Sequence, residues 1–104
     1  MKNMQFAIIG LGRFGLSLVK ELHRMGLDIL AVDLDKNKVN LARDYATYAV
    51  EADSTDEQVL KTLGIRNFDV VVVAIGENVQ SNILTVILLK DMGVPMVVAK
   101  AQNH

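Results

Sequence analysis

One short stretch of this chain carries residue types and spacing suited to holding a phosphate. Gly10-Leu11-Gly12-Arg13-Phe14-Gly15 matches G-x-G-x-x-G, and Asp33 lies 18 residues past Gly15. Each glycine in such a turn has a physical task. Gly10 permits the tight reversal, Gly12 lets backbone amides approach a pyrophosphate, and Gly15 lets the following helix pack on a sheet. The helix N-terminus contributes a dipole that favours an anion. Asp33 is placed to accept hydrogen bonds from ribose hydroxyls. The hexapeptide alone is a weak signal; it gains weight when a strand precedes it, a helix follows it, and an acidic residue closes the next strand.

Other residues cluster around these. Arg13 is a cation at a helix N-terminus, where the dipole mildly opposes positive charge, so it reads either as a phosphate ligand or as a surface arginine. Phe14 belongs to the same turn. Asp33-Leu34-Asp35 sets two carboxylates and no arginine around the ribose, which favours NAD over a 2′-phosphorylated dinucleotide and leaves ATP and ADP equally acceptable. Ligands of open α/β sheets sit beyond the strand C-termini. That rule adds Asp53 and Ser54, read equally as an adenine-edge contact or as a turn and helix cap. Ile75 packs on the ligand or in the core, and Gly76 contacts the ligand or ends its strand. Glu77 and Asn78 are ligand contacts, solvated loop or helix cap, and Lys100 is a candidate for phosphate or carboxylate.

The elements that must position these residues follow from periodicity. Met4–Ile9 reads as a strand, and Phe14, Leu18, Leu22 and Met25 recur at helical spacing up to Gly26. Asp28–Asp33 is a second strand, 36–44 a helix, and 47–50 a third strand. Ser54 with Glu57 forms a capping-box pattern opening a helix that ends at Leu63-Gly64. Val70–Ile75 is the most apolar strand, 79–92 a long helix, and Met96–Ala99 the last strand. Continuously apolar strands separated by helices describe a parallel sheet covered on both faces. Right-handed crossovers then favour a Rossmann-type, doubly wound, three-layer α/β/α fold of strand order 3-2-1-4-5. In the helix around 82–91, Ile83, Leu84, Val86, Ile87, Leu88 and Leu89 leave little polar face beyond Thr85, Lys90 and Asp91. That composition predicts burial on more than one side and a homodimer through this helix.

Composition bounds the function. The 104 residues, 51% hydrophobic and 22% charged with one proline, make one folded domain and leave no room for a second, substrate-holding one. A net charge of -1 provides no polybasic field for nucleic acid or an anionic bilayer. Without cysteine there is no disulfide framework or thiolate metal site, and His23 and His104 are too few and too distant for zinc. No nucleophile–base pair or metalloprotease motif is present, so catalysis is not expected. The apolar runs are too short for a signal peptide or a membrane span, which predicts a cytoplasmic protein.

Phe6 through Gly15, Leu30-Ala31-Val32-Asp33, Asp69 through Gly76 and the closing Lys100-Ala101-Gln102 together resemble the RCK or KTN domains. These are regulatory subunits and gating-ring domains of potassium channels and Ktr/Trk-type transporters, and the resemblance covers essentially the whole chain, most of all to the Ktr-type subunit. It implies binding of NAD/NADH or ATP/ADP, homodimers that assemble into octameric rings, and gating of a membrane-embedded potassium transporter subunit. By position it carries over Gly10, Gly12, Arg13, Gly15, Asp33, Asp53, Ser54, Ile75, Gly76 and Lys100. Where many members have Gly-Asp-Ala/Thr after the third strand, this chain has Glu51-Ala52-Asp53-Ser54. Family subunits also continue into crossover helices and a second lobe, so residues 1–104 are expected to be the nucleotide lobe alone. The alternative from another class is the cofactor half of an NAD-dependent dehydrogenase separated from its catalytic domain.

Overall fold

The computed structural model describes residues 4–76 and 78–100. Its elements are β1 (Gln5–Ile9), α1 (Arg13–Arg24), β2 (Asp28–Asp33), α2 (Lys36–Ala42), β3 (Tyr48–Glu51), α3 (Glu57–Thr62), a 3₁₀ turn (Ile65–Asn67), β4 (Val70–Val73), α4 (Val79–Asp91) and β5 (Met96–Ala99). The five strands form one all-parallel sheet of order β3-β2-β1-β4-β5, as expected. Register is continuous across it, with Ile9 opposite Val32 on one side and Val73 on the other.

Side chains alternate across each strand, so one sheet feeds two cores. Ala7, Ile9, Val71 and Val73 pack with Leu60 of α3 and Leu89 of α4, whereas Ile8, Ala31 and Val72 pack with Val19 and Leu22 of α1 and Val39 of α2. The chain passes from one face to the other between β3 and β4. The helix pairs therefore diverge around the C-terminal ends of β1 and β4, which opens a crevice there.

Several local expectations are corrected. In α1 the inward stripe is Gly15, Val19 and Leu22, and Phe14 and Met25 stand 44% and 61% exposed. A glycine occupies the contact position nearest the turn, and this rotates Phe14 outward. Ser54 does not cap α3: Asp56 does, accepting from the N–H groups of Gln58 at 2.9 Å and Val59 at 3.4 Å. β4 ends at Val73, because Ile75 and Gly76 leave the sheet to border the crevice. In α4, Thr85 is fully buried rather than on a polar face, while Val79, Ile83, Leu84 and Ile87 are 43–53% exposed. Among the described residues, no helix is long and apolar enough to cross a membrane.

Candidate functional site

The crevice encloses about 690 Å³ at the C-terminal edge of the sheet, within the range of small-molecule sites. Its floor is the glycine turn. Gly10 has φ +98°, and a Cβ there would lie 2.5 Å from the Ala74 carbonyl oxygen. A Cβ on Gly15 would lie 1.8 Å from the Gly10 carbonyl oxygen. Gly10 thus lets the turn fit against the end of β4, and Gly15 lets α1 fit against the turn. Gly12 differs: its φ is an ordinary -72°, and a Cβ there would meet no atom of the described chain within 4 Å. The space beside Gly12 is open crevice. Gly12 is also the N-cap of α1 and offers no side-chain cap, and the first turn holds no acidic residue. The first amides of α1 therefore lack an intrahelical acceptor.

Asp33, at the end of β2, is held by both oxygens. Oδ2 accepts the Leu11 N–H at 2.7 Å and Oδ1 accepts the Asp35 N–H at 2.8 Å. Each oxygen keeps a lone pair for a ribose hydroxyl. Asp35 accepts the Asn37 N–H at 2.8 Å as the cap of α2. Leu34 is exposed on the crevice wall.

At the end of β3, Asp53 is folded into a local turn, accepting from the Thr55 N–H at 2.9 Å and the Thr55 hydroxyl at 2.6 Å. That hydroxyl, and secondarily that amide, hold the Asp53 carboxyl below the usual carboxylate range. Ser54 borders the crevice but is itself buried, its Oγ 3.0 Å from Thr85 Oγ1 of α4.

On the opposite wall, Ile75 packs on the core and also lines the crevice beside Gly76. Asn78 caps α4, accepting the Ser81 N–H at 3.0 Å, and also lines the crevice. Arg13 and Lys100 border it too, and Lys100 Nζ stands 5.5 Å from the centre of the Phe14 ring. This distance is within cation–π range. Gly15 alone of the described candidates lies outside the lining, beneath the turn. Glu77 falls outside the described residues.

Sequence reasoning missed Lys38, Thr55 and Ser81, which also line the crevice. Lys38 had a signal: it sits three residues past the α2 cap Asp35, where a side chain returns toward the cap. It is half-buried and forms no ion pair among the described residues. The lining thus mixes cations Arg13, Lys38 and Lys100 with Asp33, Asp35 and Asp53.

An all-parallel sheet of this order, with a glycine turn and a carboxylate flanking its switch point, defines a Rossmann-type nucleotide-binding fold. The TrkA-N domain family matches residues 6–104, and the chain belongs to that family. It is 57% identical over 104 residues to Ktr system potassium uptake protein A of Bacillus subtilis, covering 100% of this chain and 47% of that one. To the protein of the same name from Vibrio alginolyticus it is 40% identical over 100 residues, covering 96% and 46%. Among solved structures, the NAD(P)-binding domain of an exopolyphosphatase-related protein from Archaeoglobus fulgidus superposes with TM-score 0.82 at 28% identity, covering 97% of this chain and 75% of that one. The chain spans about half the length of the curated relatives it matches.

Proposed function

We propose that this chain is the nucleotide-sensing lobe of a cytosolic subunit that regulates a membrane-embedded potassium transporter, without catalysing a reaction itself. The ligand is an adenine nucleotide, NAD/NADH or ATP/ADP. Its phosphates lie on the glycine turn near Arg13 and Lys100, and its ribose hydroxyls on Asp33. The observation that carries this reading is Gly12, whose missing side chain relieves no contact among the described residues and leaves room at an uncapped helix N-terminus. The potassium-uptake names of its relatives support the regulatory role.

A sensor needs two states with different ligand affinity, and the exposed apolar face of α4 supplies a surface on which subunits can shift. Val79, Ile83, Leu84 and Ile87 lie on that face, each well exposed. Contiguous apolar surface of this kind marks an interface, here between two copies, from which rings are built in the longer protein.

The test is the thermal midpoint with ADP, ATP, NAD and NADH. A ligand at a hundred times its dissociation constant adds about 2.7 kcal/mol, a rise on the order of 10 °C for a domain this size. Asp33→Ala abolishes the response. Absence of any shift with all four nucleotides overturns the reading.

A further inference from the structure

Ser54 and Thr85 are the buried polar residues among those described, at 6% and 0% exposure. They join segments far apart in sequence, and their two hydrogen bonds can be made together in one arrangement of protons. The Thr85 hydroxyl donates to the Ser54 carbonyl oxygen at 3.3 Å. A hydroxyl has one proton. With that of Thr85 committed, the 3.0 Å contact between the two hydroxyl oxygens is made by the proton of Ser54. Ser54 Oγ keeps lone pairs and has no proton left to offer the crevice that Ser54 borders.

Position gives this polarity a meaning. From the turn at the end of β1, the neighbouring strand end carries Asp33 and the next carries Asp53 and Ser54. A nucleotide with its phosphates on the turn and its ribose at Asp33 reaches the third strand end with its base. Ionised Asp53 is also an acceptor only, and one of its oxygens already takes both Thr55 donors. The side chains at this end offer lone pairs. Adenine presents an amino donor at its 6-position, where guanine and hypoxanthine present a carbonyl oxygen.

We propose that Thr85 is a specificity-determining positioning residue: by taking the Ser54 proton it leaves the Ser54 and Asp53 side chains at the base end of the crevice able only to accept hydrogen bonds, selecting a 6-amino purine over a 6-oxo purine. This inference rests on the nucleotide-binding reading above. The experiment is titration calorimetry with ADP and inosine diphosphate, which carries a carbonyl oxygen in place of the 6-amino group, on the wild-type chain, Thr85→Val, Thr85→Ser and Ser54→Ala. The wild type prefers ADP by about tenfold or more, the scale of one mismatched buried hydrogen bond. Thr85→Val has the same shape but frees the Ser54 proton, so the preference collapses toward parity. Thr85→Ser retains the hydroxyl and the preference, and Ser54→Ala loses it. If Thr85→Val weakens both ligands equally, or leaves the ratio at the wild-type value, Thr85 is only structural and the inference is overturned. Equal binding of both ligands by the wild type overturns it also, while leaving the nucleotide reading intact. Should Thr85→Val not fold, an unchanged ratio in Ser54→Ala overturns it. Binding of neither ligand by the wild type defeats both readings.

Discussion

Replacing Gly12 with alanine separates a ligand's need for space from the protein's own. The φ of -72° is open to alanine, and the added Cβ meets no described atom within 4 Å. Restricting the unfolded chain stabilises the protein by about 0.4–1 kcal/mol. Alanine at an N-cap is disfavoured relative to glycine, at a cost of about 0.5 kcal/mol. The opposing effects nearly cancel, so the midpoint without ligand moves by no more than a few degrees in either direction. On the proposed reading, however, the methyl group projects where phosphate oxygens approach the first amides of α1. The expected result is an unliganded midpoint near wild type with loss of most of the roughly 2.7 kcal/mol of ligand stabilisation at saturating nucleotide. Gly15→Ala is the contrasting control. Its Cβ would lie 1.8 Å from a backbone oxygen, so α1 must shift, and the unliganded protein loses about 3 kcal/mol or more. Differential scanning fluorimetry with and without ADP reads both. A Gly12→Ala protein that binds as tightly as wild type refutes the claim that this space belongs to the ligand.

Two further outcomes follow from local geometry. Thr55→Val removes the hydroxyl that most lowers the Asp53 pKa, so carbon-detected NMR titration should show the Asp53 carboxyl rising toward its ordinary value. Because the folded-state pKa is depressed, the stability it contributes is present above the unfolded pKa and is lost as pH falls through the folded pKa; the mutant should show a shallower loss of midpoint in that acid window. Ile83→Lys combined with Ile87→Lys places two charges on the exposed face of α4. The stability of the unliganded monomer should change by less than about 1 kcal/mol, while sedimentation at high concentration shifts from dimer to monomer. A wild type that sediments as a monomer at every concentration refutes the proposed interface.

How much was legible in the sequence can be seen element by element. The strands were legible because Ile29–Val32 and Val70–Ile75 are short apolar runs closed by polar residues or glycine, and their order follows from the handedness of crossovers. The glycine turn and Asp33 were legible because backbone conformation imposes its demand at fixed spacing. The tertiary structure alone decided which apolar residues of a helix face inward. Phe14 continued the helical period but faces the crevice, because Gly15 must lie against the Gly10 carbonyl. It also decided the cap of α3. Ser54 and Asp56 are both good caps by residue type, but Ser54 is drawn beneath α4 by Thr85, 31 residues away. A sequence pattern records which side chains a helix or turn tolerates, because those constraints act over a few residues. Which buried donor meets which acceptor is settled only when distant segments share one interior, and there an unpaired polar group costs about 1–3 kcal/mol.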